Sequence, residues 1–227
     1  LPSSFTSRQG RDEMAKLRFD ISISLDGFVA GPNQSEENPL GEGGEQLNEW
    51  AIALEAWRKP HGLDGGEVNE STPFMEEAFE NVGAIVMGRN MFGGGEGPWG
   101  EDPWQGWWGD DPPFHVPVFI VTHHAREPVA KEGGTTFTFV TDGIESALEE
   151  AREVAGGKDV GLGGGANVAQ QLLRAGLVDE LQLHIVPVLL GDGTRLFDDL
   201  GDAGIELECT RAVAAPGVTH LSYRIAK

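Results

Sequence analysis

Cysteine is almost missing from this 227-residue chain: Cys209 stands alone, so no internal disulfide forms and packing must hold the core. Basic residues are scarce too, 16 Lys and Arg against 37 Asp and Glu. The formal charge of -21 excludes partners that demand clustered cations, namely nucleic acid and an anionic membrane surface. No apolar run approaches the roughly 20 residues that span a bilayer. Leu1 to Glu13 is polar, lacks the apolar centre of a secretory leader and precedes Met14, a natural start; we expect a tail or cloning remnant over 1–13. These absences point to a cytoplasmic protein. One composition regime runs through 14–227, which predicts a single domain, interrupted by an insertion at about 33–70.

What the chain does have is a stretch from Lys158 to Phe197 with a legible order. A short apolar run meets Gly163, Gly164 and Gly165, and the apolar residues that follow recur at helical spacing, with Val168, Leu172 and Leu173 on one face and Gly176 at the C-cap. A strand then starts near Asp179 and alternates through Leu181, Leu183 and Ile185. Glycines at a strand-to-helix turn let backbone approach a ligand, and the helix N-terminus carries about half a positive charge, a pairing that suits a pyrophosphate. The same three glycines also suit a tight turn that holds nothing.

Further strands are expected over Lys16 to Ser24, where Leu17, Phe19, Ile21 and Ile23 alternate with Arg18, Asp20, Ser22 and Ser24, and over Ala84 to Met87, Val116 to Thr122 and Thr136 to Val140. The first runs into LDGFVAGPN, read as a loop that stays apolar and covers either its own core or a ligand. Within 33–70, Leu47, Trp50, Ala51, Leu54 and Trp57 give one helical face. Pro73 opens a helix after Ser71-Thr72, with Phe74, Ala78, Phe79 and Val82 on one side. Asp142, three residues before Glu145, gives a capping signature for a helix bearing Ile144, Ala147, Leu148 and Ala151. Two alternating segments flank Ala215-Pro216-Gly217 as a terminal hairpin.

Arg89 follows a buried-type strand and a glycine, which in so acidic a chain suits a phosphate, with a surface salt bridge as the plainer account. Trp99, Trp104, Trp107 and Trp108 lie in a loop without period and must either pack on the body or line a cleft. His123 and His124 are adjacent on extended chain and point to opposite faces, so no metal site is expected. Asp26 is a candidate proton donor, although an Asp before Gly also serves turns.

Four stretches, SISLDGFVAG, IVMGRNMF, FIVTHH and VGLGGGANVAQQLLRAGLVDELQLHIVPVLLGDGTRLF, occur in the order in which the dihydrofolate reductase-like family carries them. The chain resembles that family, in particular relatives of the reductase domain of bacterial riboflavin biosynthesis. The resemblance implies an α/β fold: a mostly parallel central sheet, flanking helices and an antiparallel C-terminal hairpin. It implies NADPH as cofactor, held by Gly88, Arg89, Asn90, Met91, Thr122 and His123, then by Gly163, Gly164, Gly165, Ala166, Asn167 and Val168. The loop of Asp26, Gly27 and Phe28 would lie beside the nicotinamide. Two departures stand out: Gly163 and Phe28 occupy positions where riboflavin reductase relatives carry Glu and Lys, and Thr72, with Glu70 nearby, falls where dihydrofolate reductases carry a helix carboxylate. The expected activity is hydride transfer to a small C=N or C=O substrate, pterin-like or ribosylamino-pyrimidine-like. A non-catalytic nucleotide-binding protein that kept the groove is the alternative. A homodimer is expected through Glu180 to Leu190 and the terminal hairpin, because Pro187 suits a sheet edge.

Overall fold

The computed structural model describes residues 15–95, 97–101, 103–202 and 204–226; the expected tail over 1–13 and the start at Met14 lie outside the described residues. Among the described residues eleven strands form: β1 Leu17–Ser24, β2 Phe28–Ala30, β3 Val82–Gly88, β4 Pro117–Val121, β5 Val129–Ala130, β6 Thr136–Val140, β7 Asp159–Leu162, β8 Glu180–Val186, β9 Thr194–Arg195, β10 Leu207–Ala215 and β11 Val218–Ile225. Helices are α1 Glu49–Ile52, α2 Glu55–Arg58, α3 Thr72–Glu77, α4 Arg89–Phe92, α5 Ile144–Ala155 and α6 Ala166–Arg174.

Nine strands make one sheet in the order β10-β11-β8-β1-β7-β3-β4-β6-β5. From β8 to β6 the neighbours are parallel, whereas β11 runs antiparallel to β8 and β10 to β11. The expected α/β architecture and C-terminal hairpin are present. The apolar residues of β1, Leu17, Phe19 and Ile23, face Leu148 and Ala151 of α5 and Val168, Leu172 and Leu173 of α6 in one core cluster. On the opposite face Ile85, Met87, Val118, Ile120 and Phe137 form a second cluster, onto which Trp99, Trp104, Trp108 and Phe114 pack. The tryptophan loop therefore covers the sheet, and the indole N–H of Trp99, Trp104 and Trp107 donate to the carbonyls of His124, Phe92 and Met91.

Several local expectations need correction. Phe28–Ala30 is strand rather than loop, because it pairs with β9, and Arg195 lies 4.4 Å from the Phe28 ring centroid. The helical face in 33–70 is broken into short turns, since Leu54 goes extended to bridge Glu67, with Glu55 N–H donating to Glu67 O and Glu67 N–H to Ala53 O. Leu47, Ala51 and Leu54 are nonetheless buried. α3 stops at Glu77: Phe79 is exposed, and Asn81, at φ 58, turns the chain into β3. Gly143, at φ 95, occupies the N-cap of α5, and Asp142 makes no side-chain cap bond. Finally, β8 lies inside the sheet between β11 and β1 and ends before Pro187, so the edge on that side is β10.

One contact fixes where α6 begins. Gly88 N–H donates to Gly164 O at 3.0 Å, and a Cβ on Gly165 would lie 3.2 Å from Gly88 Cα. The end of β3 and the start of α6 thus meet glycine on glycine. Gly165, at φ 96, is also in backbone territory that side chains avoid. Gly165→Ala should cost about 3 kcal/mol, combining backbone strain with displacement of Gly88, whereas Gly176→Ala, at φ 65 in open space, should cost about 1 kcal/mol. Denaturant unfolding of the two variants checks the difference; equal losses would mean that the close approach of α6 to β3 is not a constraint.

Candidate functional site

The second face of β1, β8 and β11 is polar. Register places Asp20 opposite Gln182 and Ser22 opposite His184, and on the other side of β8 Ser222 opposite Gln182 and His220 opposite His184. α1, α2 and α3 lie over this face, leaving a cleft of about 910 Å³. Asp20, Gln182, His184 and Trp50 line one part of it, and the turn from Gly163 to Ala166 with Asn90 and Met91 lines another.

The floor is a connected network. Asp20 Oδ1 lies 2.7 Å from His184 Nε2, His184 Nδ1 lies 2.6 Å from His220 Nδ1, and His220 Nε2 lies 2.9 Å from Ser71 Oγ. Gln182 Nε2 donates to Asp20 Oδ2 at 2.7 Å, and Ser222 Oγ donates to Gln182 Oε1 at 3.0 Å. Trp50 packs on both imidazoles and donates its indole N–H to Ser22 Oγ, while Phe74 stacks on His220 at 4.1 Å between ring centroids. Burial, then the neighbouring His184, pull the His220 pKa down to about 4, against a smaller upward pull from Asp20; Arg211 lowers it further. A 2.6 Å gap between two ring nitrogens holds one hydrogen and not a metal ion, whose ligand bonds are about 2 Å each.

Sequence reasoning assigns no site role to Asp20, Gln182, His184, His220 or Ser222. A signal existed: Arg18, Asp20 and Ser22 alternate with apolar residues in what becomes a sheet strand covered on both faces, where continuous apolar sequence is the rule.

The glycine turn sits as expected between β7 and α6. α6 has no side-chain cap, and its first internal bond is Ala169 N–H to Gly165 O, which leaves the amides of Ala166, Asn167 and Val168 without helical acceptors. The glycines answer first to the chain itself. A Cβ on Gly163 would meet Ile85 and Met87, one on Gly164 would meet Met91, and one on Gly165 would meet Gly88. Of the remaining expected cofactor residues, Asn90, Met91 and Ala166 line the cleft. Asn167 accepts from Gln171 Nε2 at 2.6 Å, and Val168 is buried in the core. Thr122 is buried, its Oγ1 accepting from His124 N–H, and His123 is exposed.

Arg89 makes no surface ion pair among the described residues. Its Nη2 donates to the carbonyls of Gly94 and Gly95, its guanidinium lies 3.1 Å from the Trp99 ring centroid, and its buried Nε and Nη1 have no acceptor among the described residues. Arg126 packs on the same indole at 4.8 Å. Burial and the proximity of Arg126 both disfavour the charge on Arg89.

Asp26 does not have the setting of a proton donor. Ser24 Oγ donates to it at 2.6 Å and the amides of Leu190 and Gly191 at 3.1 and 2.8 Å. The Ser24 hydroxyl bond acts most strongly and, with the amides of Gly191 and Leu190, outweighs the opposing effect of burial, holding the carboxyl below the usual value and favouring the ionised form. Asp26 ties the β1–β2 turn to residues 190–191 and is not among the groups lining the cleft.

The model of the RibD C-terminal domain family matches residues 15–221. A Bacillus subtilis (strain 168) protein, the uncharacterized YyaP, is 27% identical over 215 residues, covering 92% of this chain and 94% of that protein. Among solved structures, a Shewanella sp. PV-4 protein assigned provisionally to riboflavin biosynthesis is similar with a TM-score of 0.60 at 20% identity, over 94% of this chain and 100% of that one. A dihydrofolate reductase from Enterococcus faecalis, complexed with NADP(H), is similar with a TM-score of 0.51 at 15% identity, over 93% of this chain and 97% of that one. Likenesses at these identities speak for the fold, which is dihydrofolate reductase-like.

The buried His220 makes stability depend on acid. Its folded pKa lies near 4 and the unfolded value near 6.5, so between these the unfolded chain binds a proton that the native state does not. Its contribution is complete above pH 6.5 and is lost as pH falls toward 4, by up to about 3 kcal/mol. Urea unfolding at pH 7.5, 6, 5 and 4.5 should show this slope, and His220→Gln should flatten it; an unchanged slope in the variant would assign the acid sensitivity elsewhere.

Proposed function

Because the chain belongs to the RibD C-terminal domain family, we propose that it is a cytoplasmic NADPH-dependent reductase that transfers hydride to a small C=N or C=O substrate, pterin-like or ribosylamino-pyrimidine-like. The observation that carries this reading is the continuity of the cleft. One part of its wall is the uncapped start of α6, where amide donors suit a pyrophosphate, and another is a polar floor with the titratable groups Asp20 and His184.

Two features of the chain fit the cofactor. Gly164 and Gly165 place no side chain over the first amides of α6, and Arg89 carries two buried nitrogens without acceptors among the described residues, beside a second cation, Arg126. Neither arginine is ion-paired with a described residue. In so acidic a protein they are local positive charge available to an outer phosphate. NADPH supplies the hydride when bound; the residues supply position, exclusion of water and a proton. Against the non-catalytic alternative, Trp107 and Trp108 border the cleft without filling it, and titratable groups face into it. A homodimer remains part of the reading, with β10 as the pairing edge in place of β8.

Calorimetry with both cofactors tests the assignment. The wild type should bind NADPH at least tenfold more tightly than NADH, and Arg89→Ala should lose that preference while its NADH affinity stays within threefold. Equal wild-type affinities would sink the 2'-phosphate role. A screen of carbonyl, pterin and ribosylamino-pyrimidine compounds for NADPH oxidation should return a substrate, and light scattering at micromolar concentration should give twice the chain mass.

A further inference from the structure

Asp20, His184, His220 and Ser71 stand in an unbroken row that starts at the cleft floor with Asp20 and His184 and runs behind it to the buried His220 and Ser71. We propose that this row is the proton supply of the reduction: Asp20 hands the proton to the substrate, and His184 and His220 are positioning residues that load and hold it. The inference rests on the reductase reading and deepens it.

The row has two complete hydrogen-bond patterns. In the first, Ser71 O–H donates to His220 Nε2, His220 Nδ1–H donates to His184 Nδ1, and His184 Nε2–H donates to Asp20 Oδ1. In the second, one proton has been added. Both nitrogens of His184 then donate, to Asp20 and to His220 Nδ1, and His220 donates through Nε2 to a Ser71 hydroxyl that has turned. Each ring nitrogen of both histidines keeps a partner in either pattern, so the proton enters without leaving an imidazole nitrogen unsatisfied. A second proton would set two hydrogens in the 2.6 Å gap between the Nδ1 atoms, so the capacity is one.

The charged groups around the row place that proton on the Asp20 side. His220 is fully buried against Trp50 and Phe74 and faces Arg211 of β10, which is bonded to Glu77 of α3 at 2.9 Å. His184 instead touches the carboxylate of Asp20 on β1. Access points the same way. The Asp20 side chain is 34% exposed and lines the cleft, whereas His184, His220 and Ser71 are buried. Gln182 holds the other carboxylate oxygen, which fixes the plane of the group that meets the substrate.

The step balances. Hydride adds to the carbon of the C=N or C=O bond, the π pair of that bond moves to the heteroatom, and the heteroatom takes one proton from the Asp20–His184 pair. A carboxylate and a neutral imidazole remain, the electrons having come from NADPH, which is oxidised to NADP+. Water in the cleft reloads the pair.

Long-range 1H–15N NMR of histidine-labelled protein between pH 8 and 5 reads the row directly. The nitrogens of His184 and His220 should move together in a single one-proton step. In Asp20→Asn that step should move at least one pH unit lower, because an adjacent opposite charge is worth 1–3 units. Asp26→Asn should leave it in place. Two separate steps, no step, or an unmoved midpoint in Asp20→Asn overturns the proposal. Calorimetry with NADPH keeps the two readings apart: Asp20→Asn and His184→Gln should bind it within threefold of the wild type. A wild type that fails to bind NADPH refutes the reductase reading and, with it, the use of the row in reduction, whatever the NMR shows. With the pterin or ribosylamino-pyrimidine that the wild type reduces, Asp20→Asn should lower kcat at least 100-fold with KM for NADPH within threefold, and Asp20→Glu should recover part of it. Should Asp20→Asn not fold, His184→Gln stands in, with kcat about tenfold down and the pH dependence of kcat lost. Full kcat in either variant would overturn the proposal.

Discussion

A sheet strand covered on both faces can carry polar side chains only if every one of them is answered, and β1 carries Arg18, Asp20 and Ser22 on a face that α1, α2 and α3 enclose. Trp50 of α1 answers Ser22, the carbonyls of Glu77 and Glu80 answer Arg18, and for Asp20 the answers come from strands that register sets beside it. Gln182 and His184 of β8 bond Asp20, His220 and Ser222 of β11 bond those two in turn, and Ser71 at the start of α3 closes the row. Asp20 keeps about a third of its side-chain surface exposed and lines the cleft, 34% against 3% for His184. The floor is therefore rigid because its members hold one another, and the network ends at a half-buried carboxylate that lines the cleft.

The rest of the cleft follows from a second demand, close backbone packing. Gly88 and Gly165 touch where β3 ends and α6 begins, and that contact sets the uncapped amides of α6 beside Asn90 and Met91. Glycines that a ligand-centred account would assign to a cofactor are first required by the chain. Both demands are compatible, since a wall built without side chains leaves its amide donors uncovered.

Charge acts locally in this molecule. A net charge of -21 repels an anionic ligand at long range, yet Arg89 and Arg126 share the face of one indole without a carboxylate partner among the described residues. Trp99 lets this happen, because an aromatic face accommodates guanidinium groups where no anion is built in. The tryptophan loop thus both seals the sheet at β3, β4 and β6 and arranges the cations.

Period and punctuation in the sequence by themselves determined several of the elements: β1, β3, β4, β6, the Gly163–Gly165 turn with α6, and the terminal hairpin around Pro216-Gly217. Those are local matters, decided by which residues alternate and where glycine permits a turn. Local reasoning failed where a long-range partner overrode it. Leu54 leaves helix to bridge Glu67, Phe28 becomes strand because Arg195 arrives beside it, and Asp26 is claimed by amides at 190–191. The site was the least legible part. Asp20, Gln182, His184 and His220 are unremarkable alternating polar residues until strand order puts β8 between β1 and β11, and residues 164 and 36 positions apart become hydrogen-bond partners. Sequence specifies which side chains share a face of one strand; only the tertiary structure decides which strands are neighbours, because pairing is settled by the summed burial of whole faces rather than by any one residue.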